Sequence, residues 1–458
     1  MTARLEAQHE TERNRRAPFP EWAVERDGSR RTRGDRLLDR AALHRRAGPA
    51  PSGLARRLVV ALLDRFDHGH LEVVDLDGSV RRFGPERGEP RARVEIRDDR
   101  AWRSLLAGGS AGFGRGFVEG WWHSDDPVTV TRIIIRNLHR LDEVRNSWAR
   151  VTRGPRDAIA RLAPRATRRG NRDDITTHYD IGNAFYAQFL DETMTYSSAV
   201  FAAADEPLAV ASRRKYQRLL DKLDVGTQHE VLEIGSGWGG FASHAVRETG
   251  CSVTTTTISH EQHRSLVDRM GHEGVSESVT PLQLDWRDLP ALDRSFDRVV
   301  SIEMIEAVDW RDYRSYFSTI EKCLAPDGMV GIQAICFPDR RYQAAKYRND
   351  FIRRFVFPGG FLPSTGALVD AACTQGQLQL IDVEDISAHY AETLRRWRTR
   401  FEESVDAIGE LGLDTRFQRL WRMYLAYCEA AFRERYCTVQ QLVFAGPEWR
   451  GQLSLRPV

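Results

Sequence analysis

The residues best suited to chemistry lie around a glycine-rich turn near the middle of the chain. VLEIGSGWGG, residues 231–240, has the form of a buried strand that ends in a tight turn and opens a helix. Gly235 and Gly237 let the backbone approach a ligand closely, and the turn after the first strand of an α/β sheet lies at the usual binding edge. Since tight strand-to-helix turns need glycine in any case, the turn alone is weak evidence for a site.

The residues around this turn narrow the class of ligand. No GK[ST] sequence follows the glycines, so the pattern is not that of a phosphate-binding P-loop. The next apolar run ends in TTTTIS, residues 254–259, without the acid that a nicotinamide enzyme places against the ribose. Two open glycines and an aromatic residue at a strand end, Trp286, suit an adenosyl group better than a phosphate.

The elements that must position this turn alternate along the second part of the chain. From about residue 175, apolar runs that read as strands are separated by helical segments such as GFASHAVRE and SYFSTIEKCL; the runs are VLEIGS, SVTTTTI, FDRVVSIEMI and GMVGIQAI. Such alternation predicts βαβ units and an α/β fold with a Rossmann-like, mostly parallel sheet.

The segments before residue 175 predict a smaller N-terminal α+β domain. LARRLVVALLDRF has helical periodicity, and HLEVVDLDGSVRRFG alternates like two strands around a turn at Asp77-Gly78. Nine arginines stand against one acid between residues 145 and 172. The predicted organisation is a flexible charged tail at 1–50, an accessory domain at 51–144, an arginine-rich linker at 145–173 and the α/β domain at 174–458.

Composition excludes several classes of function. Lys and Arg total 67 against 65 Asp and Glu, and a formal charge of only +2 gives no reason to expect a nucleic acid partner. Six scattered cysteines without a CxxC pair indicate neither a zinc site nor disulfides, which fits a reducing cytosol. There is no apolar signal stretch, and no run approaches the roughly 18 apolar residues of a membrane span. We expect a cytoplasmic protein that visits the inner face of the membrane if it acts on lipid.

Seven segments occur in the order of one known family. They are HYDIGNAFYAQFLDETMTYSSAVF, VLEIGSGWGGFA, TISHEQ, FDRVVSIEMIEAV, FPGGFLPS, HYAETLRRW and RMYLAYCEAAFR. Together they resemble the cyclopropane-fatty-acyl-phospholipid synthases, including the mycolic acid cyclopropane synthases, within the class I S-adenosylmethionine (SAM) methyltransferases. The match covers roughly residues 170–445, and GGSAGFGRGFVEGWWHSDD, residues 108–126, resembles the accessory domain of longer bacterial members. The resemblance implies SAM as methyl donor and a homodimer.

Carried over residue by residue, the resemblance also implies the SAM site. The matching positions are Tyr196 and Ser197 at the methionine end, Glu233, Gly235 and Gly237 at the first strand and its turn, Thr257 and Gln262 after the second strand, and Trp286 and Arg287 beside the adenine.

The family reaction implies a second group of residues. The sulfonium methyl is transferred to a cis double bond of a phospholipid acyl chain, which leaves a carbocation, so the site must exclude water, stabilise positive charge and supply a base. In the family the base resembles a bound bicarbonate ion, and the positions matching its ligands are Glu306, Ser198, Gln333, Ile335 and Tyr390. Candidate aromatic faces for the cation are Tyr179, Phe185, Tyr186 and Tyr316.

The sequence departs from the cyclopropane-forming pattern around that base. Ser198 replaces the usual cysteine, Gln333 replaces a histidine, and Glu303 with Ala307 alters the acid motif. An amide can hold bicarbonate but cannot share its proton as imidazole can, and two close acids raise one pKa or repel an anion. The cation either closes a cyclopropane or loses its proton after a hydride shift, leaving a methylene branch. We therefore expect the methylene, tuberculostearic-acid type of product, which a reductase partner saturates, with cyclopropane formation as the alternative.

Two other functions are compatible with parts of the pattern. The glycine-turn fold also serves methyltransferases of soluble small molecules, and a lipid-binding protein can retain SAM-site residues without turnover. Retention of Glu306 and Tyr390 argues against the latter. The expected partner is a phospholipid bilayer with unsaturated acyl chains. Candidate membrane contacts are the arginine-rich linker, residues 108–126 and FPGGFLPS, residues 357–364.

Overall fold

The structure is a computed structural model that describes residues 52–141 and 181–451. The predicted charged tail and arginine-rich linker lie outside these residues, as does Tyr179. Within the two described ranges, every helix is too short or too polar to cross a membrane.

The N-terminal unit is a four-stranded sheet covered by helices. Its elements are α1 Ser52–Leu63, β1 His70–Val74, β2 Val80–Phe83, β3 Arg91–Ile96, α2 Arg100–Val118, β4 Trp122–His123 and α3 Pro127–Arg136. The sheet order is β2-β1-β3-β4, with β1 and β3 parallel and the other pairs antiparallel. Strands β1 and β2 form the predicted hairpin, whose turn contains Gly78 at φ 77°.

The C-terminal unit alternates strands and helices around a larger sheet. Its strands are β5 Glu230–Ile234, β6 Ser252–Thr257, β7 Val279–Gln283, β8 Phe296–Ile302, β9 Leu324–Cys336, β10 Gln379–Asp385 and β11 Thr438–Ala445. Its helices are α4 Asn183–Tyr186, α5 Leu208–Lys222, α6 Gly240–Thr249, α7 His260–Glu273, α8 Tyr313–Cys323, α9 Asp339–Ala345, α10 Phe351–Phe355, α11 Thr365–Val369, α12 Ser387–Glu403, α13 Val405–Glu410 and α14 Thr415–Arg433. Short 3₁₀ turns occupy Trp286–Leu292, Ile305–Ala307 and Trp310–Asp312, and a π turn occupies Asp370–Thr374.

The large sheet confirms the predicted α/β fold. Its strand order is β10-β11-β9-β8-β5-β6-β7, and the five strands from β9 to β7 pair in parallel, while β11 is antiparallel to both of its neighbours. Parallel strands are buried on both faces, which explains their nearly continuous apolar runs. Because chain order reverses between β5 and β8, the carboxyl ends of these strands form a crevice suited to ligands.

The glycine-rich stretch before residue 120 is mainly helix, and its aromatic side chains are core. Phe113, Phe117 and Trp122 are almost fully buried, and Phe113 stacks on Trp122 at 4.6 Å between ring centroids. The glycines allow close packing, since a Cβ built at Gly114 would lie only 2.1 Å from the Phe351 ring. The expectation that these aromatic residues contact a membrane is therefore wrong for the side chains that form this core.

The two units share one hydrophobic core centred on α14. Helices α2 and α3 of the N-terminal unit pack on one side of α14, and α12 packs on another. Arg132 and Arg136 each donate to Glu434 at 2.7 Å, just beyond the end of α14. The helix that supports the N-terminal unit therefore also forms a wall of the crevice described next.

Candidate active site

One large cavity, of about 360 Å³, opens at the carboxyl ends of the parallel strands. A volume of this size is within the range of ligand-binding clefts. All nine residues predicted for the SAM site line it, together with Glu306, Ile335 and Tyr390; the nine are Tyr196, Ser197, Glu233, Gly235, Gly237, Thr257, Gln262, Trp286 and Arg287. The structure thus brings together residues that lie far apart in the sequence.

The glycine turn leaves space where a ligand would approach. Gly235 and Gly237 have φ values of 92° and 52°, and a Cβ built at Gly237 would have no neighbour within 4 Å. At the next strand end, Thr257 Oγ1 donates to Gln262 Oε1 at 3.0 Å. Backbone that is open to the cavity, followed by polar side chains at the neighbouring strand, fits the adenosyl and methionine parts of SAM.

An aromatic side chain, Trp286, lines the part of the cavity that suits SAM. Trp286 follows β7, with the Arg287 guanidinium 4.6 Å from the centre of its ring. Asp285 holds that guanidinium by hydrogen bonds of 3.0 and 3.1 Å. A flat indole fixed in this way is suited to lie against an adenine.

Two buried ionisable groups adjoin the methionine end. Glu233 accepts a 2.5 Å hydrogen bond from Thr255, and burial raises the pKa of Glu233 to about 7. Lys215 is fully buried on α5 and donates to Ser197 Oγ at 2.7 Å; burial lowers the pKa of Lys215 to about 7. Sequence reasoning missed Lys215, because SRRKYQRLL reads as an ordinary charged helix.

Glu303 lies directly after β8 and projects into the centre of the site. Its Oε1 accepts hydrogen bonds from the Ser198 amide at 2.9 Å and from Gln333 Nε2 at 2.8 Å, and its Oε2 accepts one from the Tyr390 hydroxyl at 2.8 Å. Gln441 Nε2 donates to Gln333 Oε1 at 3.1 Å, which turns the amide nitrogen of Gln333 toward Glu303. The Glu303 carboxylate is therefore held by three donors.

Glu306 lies one short turn further on and is held by fewer donors. Its Oε1 accepts from the Ile335 amide at 2.5 Å, whereas its buried Oε2 has no hydrogen-bond partner. Burial, followed by the nearby charge of Glu303, raises the pKa of Glu306 to about 8. Burial also raises the pKa of Glu303, against which the Lys215 charge and the three donors act. Near neutral pH, Glu306 is thus mostly protonated.

The groups assigned to a bicarbonate ion already have protein partners. Ser198, Gln333 and Tyr390 bond to the Glu303 carboxylate, and the Ile335 amide bonds to Glu306. Glu303 lines the cavity, whereas Ser198 and Gln333 are not among its lining residues. Bicarbonate binding stays a prediction. The structure differs from the expected site because the Glu303 carboxylate accepts the hydrogen bonds of Ser198, Gln333 and Tyr390 that were predicted for bicarbonate.

The aromatic residues proposed for the cation lie elsewhere. Phe185 and Tyr186 are fully buried in the aromatic core, and Tyr316 is buried behind Trp286, with its hydroxyl bonded to Ser301. Within the described residues, none of these three lines the cavity, so their assignment to the reacting centre is wrong.

One face of α14 supplies the aromatic wall instead. It presents Tyr424, Tyr427, Cys428 and Ala431 to the cavity, at positions i, i+3, i+4 and i+7. This spacing is visible in RMYLAYCEAAFR and identifies the helix face, although it cannot identify what the face contacts.

Residues 350–362, here called the cover segment, form a further part of the cavity wall. Phe357, Phe361 and Leu362 line the cavity, and the Phe361 amide donates to the Glu306 carbonyl at 2.8 Å. The FPGGFLPS loop is thus part of the cavity wall beside the carboxylates, and its contact with a membrane stays a prediction.

The sheet order, the open glycine turn and the adenosyl-type pocket define a SAM-dependent methyltransferase. Comparison with known proteins then specifies the group: residues 166–442 match the family described as mycolic acid cyclopropane synthetase, and the chain belongs to this family.

Two individual relatives match more of the chain than the family model does. A tuberculostearic acid methyltransferase of Mycobacterium tuberculosis is 39% identical over 87% of this chain and 92% of its own length. A cyclopropane-fatty-acyl-phospholipid synthase of Escherichia coli is 30% identical over 78% of this chain and 89% of its own length. A solved mycolic acid cyclopropane synthase, complexed with SAH and CTAB, has a TM-score of 0.55 and 27% identity, covering 60% of this chain and 98% of that chain.

Proposed function

We propose that the protein transfers the methyl group of SAM to a cis double bond in the acyl chain of a membrane phospholipid, giving a mid-chain methylene branch. The observation that carries this proposal is the shape of the cavity. It joins the adenosyl-type pocket to an apolar wall formed by α14 and the cover segment, with Glu303 and Glu306 at the junction. An apolar chain placed along that wall would present its double bond to the methyl donor and to the carboxylates.

The reaction sets two requirements that this wall meets. The sulfonium supplies an electrophilic methyl group, and attack by the alkene leaves positive charge on the acyl chain. Tyr424 and Phe432 place aromatic rings at the cavity wall, where aromatic faces stabilise a cation, and Phe357, Phe361 and Leu362 of the cover segment exclude water. Both cyclopropane and methylene products lose their proton from the transferred methyl group; they differ in whether a hydride shift precedes that loss.

The methylene product is favoured by two findings. The relative with 39% identity is a tuberculostearic acid methyltransferase, whereas the cyclopropane-fatty-acyl-phospholipid synthase of E. coli shares 30%. Two residues at the predicted anion site, Glu303 and Gln333, also depart from the cyclopropane-forming pattern. A separate reductase would saturate the methylene group to a methyl branch.

A phospholipid substrate requires contact with a bilayer surface. Helix α1 exposes Leu54, Leu58 and Arg57, and Arg65 is exposed two residues beyond its end. Apolar side chains next to arginines suit the interface of an anionic bilayer, to which each nearby basic group contributes about 1 kcal/mol. We propose that this face of α1 rests on the inner surface of the membrane.

Fatty acid analysis tests the proposal directly. The protein is expressed in a host rich in oleoyl phospholipids and supplied with methyl-labelled methionine, and the fatty acids are examined by mass spectrometry and ozonolysis. We expect a labelled acid heavier by one CH₂ group that ozonolysis cleaves at a methylene carbon. A labelled acid resistant to ozonolysis would indicate cyclopropane formation. Purified protein that methylates only soluble compounds, without need of vesicles, would contradict a lipid substrate.

A further inference from the structure

We infer that the carboxylate of Glu303 is the catalytic base of this protein and takes the place of a dissolved bicarbonate ion. The inference rests on the proposed function, since it names the group that removes the proton from the methylated acyl chain. Its basis is the set of contacts that Glu303 makes.

The first argument is the number of donors. An ionised carboxylate has about four lone-pair positions. The Ser198 amide and Gln333 Nε2 use two on Oε1, and the Tyr390 hydroxyl uses one on Oε2. One position on Oε2 remains for a proton, and Glu303 lines the cavity in which the acyl chain would lie.

The second argument is the difference between the two acids. Glu306 has one donor and one unpartnered oxygen, whereas Glu303 has three donors. Donors to the charged form favour ionisation, so the negative charge resides on Glu303 and the proton on Glu306. Lys215, whose charge opposes the effect of burial on the Glu303 pKa, adds to this preference. Only the ionised acid of the pair can accept a proton.

The third argument is the backbone at Glu303. Its φ is 50°, in the left-handed region that residues other than glycine rarely adopt. Strain of this kind persists where the surroundings impose it and is concentrated at functional sites. Here it directs the carboxylate at the end of β8 onto its three donors.

The proposed step balances as follows. The alkene electron pair forms a bond to the methyl carbon, and the sulfur–methyl pair returns to sulfur. A hydride then moves from the methylated carbon to its cationic neighbour, which transfers the positive charge. Finally a C–H bond of the new methyl group breaks, its electrons form the methylene double bond, and its proton passes to Oε2 of Glu303. The proton leaves to solvent before the next turnover.

The test compares the wild type with Glu303→Gly and Glu303→Gln in buffer purged of carbon dioxide, with oleoyl phosphatidylglycerol vesicles. We expect wild-type turnover to be unchanged by added bicarbonate. Glu303→Gln should lose 100-fold or more, the usual contribution of a general base. Glu303→Gly should be similarly slow and regain activity with bicarbonate, since glycine adopts the backbone at this position and frees the three donors. Glu277→Gln, an exposed and distant glutamate, is the control and should behave like the wild type.

Binding of ¹³C-labelled bicarbonate, followed by NMR, provides a readout that is independent of turnover. We expect binding to folded Glu303→Gly and none to the wild type. Bicarbonate that binds the wild type or stimulates its turnover would overturn the inference, as would full activity of Glu303→Gly in purged buffer. If the wild type fails to methylate lipid at all, the proposed function is wrong, and this binding comparison still decides whether Glu303 occupies the anion site.

Discussion

At the scale of single residues, the main feature of the site is that two neighbouring acids have unequal numbers of hydrogen-bond donors. Glu303 and Glu306 are three positions apart, and both lie deep in the protein at the cavity wall. Three donors stabilise the charge of Glu303, whereas Glu306 has a single donor. Burial raises the pKa of Glu306, and the charge of Glu303 raises it further. The pair therefore separates into one base and one neutral acid.

This assignment predicts that Glu306 makes its own contribution to the pH dependence of stability, which Glu306→Gln removes. The folded pKa of Glu306 is about 8, against 4.5 for an ordinary glutamate, so folding binds a proton between these values. The wild-type free energy of unfolding therefore falls as the pH rises from 4.5 to 8, by at most about 1.4 kcal/mol per pH unit from this group. Glutamine binds no proton, so the variant gains stability relative to wild type across this window.

Denaturant unfolding between pH 5 and pH 8 measures this difference. Glu277→Gln should give a curve parallel to that of the wild type, because its side chain is exposed. A constant difference between Glu306→Gln and wild type at all pH values would mean that Glu306 is already ionised in the folded protein.

The sequence predicted which residues form the site better than it predicted the hydrogen bonds between them. The glycine turn, the polar residues after β6 and Glu306 could be assigned because each belongs to a local pattern. The bonds from Ser198, Gln333 and Tyr390 to Glu303 join residues between 30 and 105 positions apart, and no local pattern contains such pairings. Lys215 was missed for the same reason, since only tertiary packing buries it.

At the scale of elements, the turn between β5 and α6 depends on one open position. A Cβ at Gly237 would meet no protein atom within 4 Å, and Gly237 lines the cavity proposed for SAM. Gly274, at the end of α7, also has positive φ and equally open surroundings, yet it lies away from the cavity. It is therefore a matched control for backbone strain.

We expect Gly237→Ala to weaken S-adenosylhomocysteine binding tenfold or more, as measured by calorimetry. Both Gly237→Ala and Gly274→Ala should lose about 1 kcal/mol of stability, because alanine disfavours positive φ. Only the first should lose affinity. Equal affinity of the two variants would show that the ligand does not approach the turn at Gly237.

Four of the five parallel strands were predicted from sequence, whereas β7, which contains Pro281, and the antiparallel edge were not. Strands β5, β8 and β9 are largely apolar and β6 is rich in β-branched residues, as expected for buried strands of a parallel sheet. Strand β10 is largely exposed and β11 follows a long helical region, so neither continues the alternating pattern. No helix was predicted in the glycine-rich stretch of α2, because glycine has a low helix propensity, which the close packing of Gly114 and Gly116 against Phe351 and Trp122 overrides.

At the scale of the whole molecule, the N-terminal unit is packed against the cover segment. Gly114 of α2 faces Phe351 of α10, which adjoins cavity-lining Asp350 and Ile352. Gly108 directly precedes the kink at Gly109, where the backbone leaves helical geometry, and has open surroundings. An added methyl group at these two glycines should therefore have different effects.

Gly114→Ala should cost about 1–3 kcal/mol of stability through overpacking, whereas Gly108→Ala, whose added methyl group meets no other atom, should change stability by less than about 1 kcal/mol. We also expect Gly114→Ala to lower turnover on phospholipid vesicles more than it lowers S-adenosylhomocysteine affinity. The added methyl group would displace the cover segment, which lines the part of the cavity proposed for the acyl chain. Denaturant unfolding, vesicle assays and calorimetry measure the three quantities. Equal loss of turnover and ligand affinity would contradict a specific link to the acyl end.

The left-handed backbone at Glu303 also bears on how such enzymes diverge. Glycine adopts that conformation freely, and a glutamate codon becomes a glycine codon by one base change at its second position. A single mutation can therefore exchange a built-in base for an empty anion pocket without rebuilding the strand end. A lineage carrying glutamate would modify its lipids independently of the carbon dioxide supply of the cell, while one carrying glycine would tie membrane composition to that supply.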